Sequence, residues 1–172
     1  ECTTGFRQNL GGLHKIYNVN PDMAIFGKAI GNGYAITAVI GRREIMEVAS
    51  KSTFISSTFW TERIGPSAAL KTLEIMEKNK SWKIINKIGL KVKKKWKEIA
   101  KNNNLNIEIF GNPAITSFKF KSNYNLEYKT LITQEMLKRG YLATNSIYVC
   151  TEHNDKILNK YFENLDKVFK LI

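Results

Sequence analysis

The stretch Pro21-Asp22-Met23-Ala24-Ile25-Phe26-Gly27-Lys28-Ala29-Ile30-Gly31-Asn32-Gly33-Tyr34-Ala35-Ile36-Thr37-Ala38-Val39-Ile40-Gly41 decides the reading of this chain. Met23 to Phe26 is a short apolar run that opens after Pro21-Asp22 and closes at Gly27, the form of a buried strand. A lysine follows at once, then the turn Gly31-Asn32-Gly33. Ala35 to Ile40 forms a second strand, closed by Gly41. The Gly27-Lys28 pair invites comparison with a phosphate-cradling nucleotide loop. That reading fails: Ala29 stands where Ser or Thr is required, and Asp22 rather than glycine lies five residues before Gly27. A lysine fixed at a strand end among small residues also suits a Schiff-base nucleophile. Burial and nearby positive charge favour its neutral amine, and the glycines let the backbone approach a flat cofactor. Spacing alone leaves the solvated loop lysine as the commoner outcome.

Working outward, Arg42 to Ala49 places Ile45, Met46 and Ala49 at helical spacing, and Thr53 to Ser56 reads as extended. Pro66 suits the first position of a helix running to about Glu77, with Ala69, Leu70, Leu73 and Met76 recurring at the helical period. Ser81 to Lys101 predicts a long amphipathic helix with Ile84, Ile88, Val92, Trp96 and Ile99 on one stripe. Its lysines lie mostly off that stripe, as on a solvated face. Asn106–Phe110 and Ala114–Phe120 alternate as strands about the turn Gly111-Asn112-Pro113. Leu126–Lys138 reads as a helix closed by Gly140, Tyr141–Ala143 and Ile147–Cys150 as short strands, and Asn154–Leu171 as a final helix. Strands alternate with helices, so the class is α/β first and α+β after.

The chain has 172 residues, 43% hydrophobic and 24% charged, with a net charge of +12. The surplus is uneven: +3 over residues 1–80 and +9 over residues 81–172. Such a surplus can mark a nucleic-acid binder. Lys, Asn and Ile are all abundant, however, and no nucleic-acid partner is expected. No apolar run approaches the ~20 residues that cross a bilayer. Cys2 and Cys150 make no disulfide framework, and with only His14 and His153 there is no metal-ligand spacing. The expected compartment is reducing and cytoplasmic.

Several blocks together resemble one family. ECTTGFR (1–7), the Gly11-Gly12 pair and NPDMAIFGKAIGNGYAITAVIGRREIM (20–46) are similar to the segment around the cofactor lysine of class III aminotransferases. SSTFWTERIGPSAALKTLEIM (56–76) resembles the segment that follows. PAITSFKF (113–120) and the helix through Tyr161–Phe169 continue the resemblance more loosely, nearest to the glutamate-1-semialdehyde aminomutase-like branch.

The resemblance implies the aspartate-aminotransferase-like fold of pyridoxal-phosphate (PLP) enzymes. Residues 1–80 are then the C-terminal portion of the cofactor-binding large domain, and 81–172 the connecting helix and a small α+β domain. It implies that Lys28 holds PLP as a Schiff base and moves the proton at the substrate's α-carbon. It gives Thr58 the cofactor phosphate of the neighbouring subunit, with Ser57 a second candidate, and so a homodimer with sites at the interface. Cys2 matches a position, usually Val, that packs against the cofactor ring.

The family's pyridine-nitrogen Asp stands directly before the position matching Glu1, and its phosphate loop and ring stacker lie further upstream. The expectation is therefore a C-terminal fragment, inactive alone, with Ala35 where many relatives have Pro. Arg7, Arg42, Arg43 and Arg63 are candidates to meet a substrate carboxylate, and Tyr34 and Trp60 to line a pocket, although surface placement or packing serves each as well. Transamination between an amino donor and a keto or aldehyde acceptor is the preferred reaction. Intramolecular amino transfer shares Lys28 and Thr58 and stays open.

Overall fold

A computed structural model describes residues 1–59 and 61–172; Trp60 lies outside the described residues. The chain forms two compact units, Glu1–Lys83 and Ile84–Ile172.

In the first unit, β1 (Met23–Phe26) pairs antiparallel with β2 (Ala38–Gly41), Met23 opposite Gly41 and Phe26 opposite Ala38. The second strand is three residues shorter at its start than its apolar run predicts. Local turns use those backbone groups: the Tyr34 N–H donates to Gly31 O at 3.0 Å and the Ile36 N–H to Tyr34 O at 3.0 Å. Helix α1 (Arg43–Ser52) follows. Thr53, extended as expected at φ −121°, ψ 130°, leads into a stretch to Ser56 that pairs with no strand among the described residues. Helix α2 spans Ile64–Asn79 and starts two residues before Pro66. The Glu62 carboxylate accepts the Ile64 and Gly65 N–H groups at 2.6 and 3.0 Å. It thereby caps the first turn, and Pro66, with no N–H, leaves nothing there to satisfy. A small core of Phe26, Ile30 and Ala69 joins β1, the lysine turn and α2.

The second unit is built on helix α3 (Ser81–Asn102), whose first turn holds the division between units. Beyond it lies the antiparallel sheet of β3 (Ile107–Asn112), β4 (Ile115–Phe120) and β5 (Ser146–Tyr148), with β4 central. Helices α4 (Asn125–Lys138) and α5 (Asp155–Phe169) complete it. Tyr141–Ala143 is not a strand. The Tyr141 N–H closes the end of α4 on Met136 O at 2.9 Å, behind Gly140 at φ +82°.

The α3 stripe holds at Val92, Trp96 and Ile99, which are buried, and at Ile88, which packs on the core; Ile84 is exposed, while Ile85 and Gly89 are buried on the same face. A Cβ on Gly89 would lie 1.7 Å from Pro113 O, so the helix backbone rests on the tip of the β3–β4 hairpin. The core is aromatic: Phe118 of β4 touches Trp96 (ring centroids 4.8 Å apart), Phe120 (5.7 Å) and Phe169 (5.8 Å). The Trp96 indole N–H donates to the Tyr161 hydroxyl at 3.0 Å in the same core. Lys83, Lys87, Lys94, Lys97 and Lys101 form an exposed row along α3. Among the described residues, no helix is long and apolar enough to cross a membrane.

Candidate active site

Lys28 emerges directly from β1, after the buried Gly27, at the start of a short 3-10 turn, Lys28–Ile30. Its φ is +46°, the left-handed region in which a Cβ is disfavoured by roughly 1 kcal/mol or more. The side chain is exposed, and its amine donates to the Thr3 hydroxyl at 2.7 Å. An uncommon backbone conformation at this lysine marks a place where fold and side-chain direction compete.

Thr3 belongs to a hook, residues 1–14, held by its own polar groups. The Glu1 carboxylate accepts the Thr4 hydroxyl at 2.6 Å and the His14 backbone N–H at 3.0 Å, and contacts the His14 ring at 3.0 Å. Burial raises the Glu1 carboxyl, but the Thr4 hydroxyl, the Leu13 and His14 amides and the His14 ring outweigh it, and the group is held at about 2. The Arg7 Nε donates to Thr3 O at 3.2 Å, and the Phe6 N–H to Gly11 O at 2.7 Å. Gly5 lets the hook lie against β1: a Cβ there would come within 2.8 Å of the Phe26 ring. Phe6 packs on that ring at 5.2 Å between centroids.

Cys2 sits beside the lysine turn. A Cβ on Gly27 would find Cys2 Sγ at 3.7 Å and Thr37 Cγ2 at 3.5 Å. Cys2 lies beside Gly27 and Thr3 meets the amine of the next residue, so small side chains border this part of the turn. A flat aldehyde cofactor fits such a place, with the amine to condense and little bulk over the backbone.

Ser57 and Thr58 lie in the exposed segment after α1, and neither side chain makes a hydrogen bond among the described residues. The structure brings Cys2 beside Gly27, the residue before Lys28. It does not join Ser57 or Thr58 to that group. Arg7 is tied to Thr3, Arg42 pairs with Asp22 at 3.1 Å, and Arg43 lies 4.0 Å from Glu47. Arg63 and Tyr34 are exposed. Thr3 is the site residue that sequence reasoning missed.

The second unit carries its own cleft of about 340 Å³, lined by Tyr141, Ile147, Tyr148, His153 and Tyr161 among others. There the His153 Nδ1 accepts the Cys150 N–H at 3.2 Å, which leaves the proton of the neutral ring on Nε2. Burial lowers the His153 ring below the usual imidazole range.

The pattern of class-III aminotransferases matches residues 1–157. The chain belongs to the class-III aminotransferase family. The 3-aminobutyryl-CoA aminotransferase of Cloacimonas acidaminovorans is 32% identical over 163 residues, covering 92% of this chain and 39% of that enzyme. The glutamate-1-semialdehyde 2,1-aminomutase of Methanosphaera stadtmanae is 31% identical over 190 residues, covering 99% of this chain and 45% of that enzyme. Among solved structures, the PLP internal aldimine form of the Sphingopyxis sp. MTA144 FumI protein superposes with a TM-score of 0.90 at 20% identity, over 97% of this chain and 41% of that one. The chain thus has the fold of class-III family members and spans less than half the length of the relatives it matches. The expected α/β transferase fold and family hold, and the family's cofactor is pyridoxal phosphate.

Proposed function

We propose that this chain is the lysine-bearing part of a PLP-dependent aminotransferase that moves an amino group between an amino donor and a keto or aldehyde acceptor. Residues 1–80 serve as the end of the cofactor-binding domain, and 81–172 as the connecting helix and small C-terminal domain. The observation that carries this reading is the Lys28 amine, displayed at the end of β1 and met by a single hydroxyl at 2.7 Å. The cofactor, when bound, supplies the electron sink that makes the substrate's α-proton removable.

The protein's own groups do the rest. Lys28 would hold the cofactor through Nζ, and the same atom is the group that would take and return a proton at the substrate's α-carbon. Cys2, a small side chain beside Gly27, would pack against the cofactor ring. Thr58, with Ser57 beside it, offers a hydroxyl and a backbone N–H to the cofactor phosphate. Their exposure suits a donation across the interface of a homodimer rather than to their own Lys28.

Intramolecular amino transfer is the second reading, favoured by the aminomutase relative at 31% identity along almost the whole chain. Lys28 and Thr58 serve both reactions. The assay that separates them supplies the intact protein with amino donors, with and without a keto acceptor. Aminotransferase activity requires the acceptor for turnover, and turnover of an amino aldehyde with no acceptor rejects the first reading in favour of the second.

A further inference from the structure

We infer that the Thr3 hydroxyl is the station on which the Lys28 amine rests whenever it is not bonded to cofactor, and that Thr3 is thereby a positioning residue for the proton transfer. The inference rests on the proposed role of Lys28.

A lysine side chain has four rotatable bonds, and its freedom is worth up to about 2 kcal/mol when lost. An amine released by an incoming substrate therefore disperses unless something nearby holds it. The structure supplies one such group, the Thr3 Oγ1 at 2.7 Å. Three features fit it to that task.

First, Thr3 is itself fixed. Its carbonyl is bound by Arg7 at 3.2 Å, the next residue is locked to Glu1 at 2.6 Å, and Glu1 is in turn bound to His14 at 3.0 Å. Second, a hydroxyl both donates and accepts. It accepts from the ammonium form of Lys28 and donates to the lone pair of the neutral amine, so it retains the side chain in either state of a proton shuttle. A carboxylate or a carbonyl would serve the ammonium strongly but offer the neutral amine no donor. Third, the backbone of Lys28 is held at φ +46°, which fixes the direction in which the stem leaves the strand.

The test compares native protein, Thr3→Val and Thr3→Ser in the intact enzyme. Valine keeps the shape and removes the hydroxyl; serine keeps the hydroxyl. The first readout needs no cofactor. Acetic anhydride labels Lys28 in the cofactor-free protein, with the other lysines as internal references, and mass spectrometry gives the rate. Thr3→Val is expected to label about three- to tenfold faster, the ratio corresponding to one ordinary hydrogen bond, and Thr3→Ser at the native rate.

The second readout uses the loaded enzyme. In Thr3→Val kcat falls about tenfold or more, as positioning losses do. KM for the amino donor stays within about twofold, because binding is untouched. The isotope effect of α-deuterated donor grows, since proton transfer has become slower. Thr3→Ser restores all three. Native labelling and a native isotope effect in Thr3→Val overturn the inference, and so does a Thr3→Ser enzyme that behaves like Thr3→Val. If the native protein fails to hold the cofactor at Lys28, the parent reading falls, while the labelling arm still decides whether Thr3 holds the amine.

Discussion

Replacing Gly89 by alanine sets two effects of opposite sign against each other. In the interior of a helix the change gains about 1 kcal/mol from propensity alone. Here the new Cβ would sit 1.7 Å from Pro113 O, 2.4 Å from its carbonyl carbon and 3.1 Å from its Cα. Non-bonded carbon contacts settle near about 3.5 Å, so α3 and the hairpin tip must part by more than an ångström. The obstacle is backbone, with no flexible side chain to swing aside. The movement passes to Ala114, wholly buried next to Pro113, and to the cluster it forms with Ile85 and Val149. Overpacking of this kind costs about 1–3 kcal/mol and occasionally more, even in cores that relax.

The clash is with backbone that cannot swing aside, which puts the cost at the upper end of that range, and a net loss of about 2 kcal/mol is expected once the propensity gain is subtracted. Urea unfolding of the intact protein, followed by far-ultraviolet circular dichroism, measures it as a lowered midpoint. Lys94→Ala, exposed on the same helix, is the control and should stay within about 0.5 kcal/mol of native. A Gly89→Ala protein as stable as native, or more so, would refute the close approach of helix and hairpin.

Other substitutions probe other parts of the account. Tyr161→Phe leaves the Trp96 indole N–H without its acceptor in the aromatic core, and a loss of about 1–3 kcal/mol is expected in the same urea assay. Lys80, the single residue between α2 and α3, sits at φ +50°, so Lys80→Gly should raise the unfolding free energy by about 0.5–1 kcal/mol, seen as a higher urea midpoint. His153 is lowered by burial and uses Nδ1 as an acceptor, so its neutral form belongs to the folded state. Stability from this group is present above the ordinary imidazole range and is lost as pH falls through it. His153→Asn should flatten that part of the pH–stability curve, measured by thermal unfolding from pH 8 to pH 5.

Much of the fold was legible because its signals are local. The run Met23–Phe26 is apolar, short and bounded by Pro21-Asp22 and Gly27, and it is a strand over those same residues, although only Phe26 of the four is buried. The alternation of Ile115–Phe120 buries Thr116, Phe118 and Phe120 on one face, as its period requires. What sequence misread depends on partners distant in the chain. Ile84 reads as part of the buried stripe of α3 and is exposed, while Gly89, buried under Pro113, gives no local sign of that contact. Ala35–Thr37 looks like strand until the turn that takes the Ile36 amide is drawn.

The site shows the same division. Lys28 stands out locally as a lysine between a strand and glycines, and the blocks around it carry the family. The partner of its amine lies 25 residues earlier, in a Cys-Thr-Thr run with no periodicity to mark it. The exposed placement of Ser57 and Thr58 is equally silent in the sequence.

One covalent mark bears on everything proposed for this chain. The intact protein is incubated with pyridoxal phosphate, reduced with borohydride, digested, and its peptides are weighed. The account predicts a single phosphopyridoxyl adduct on the peptide that carries Met23–Ile30, at Lys28, and none in Lys28→Ala. An adduct spread over the exposed lysines of α3, or none at Lys28, contradicts it.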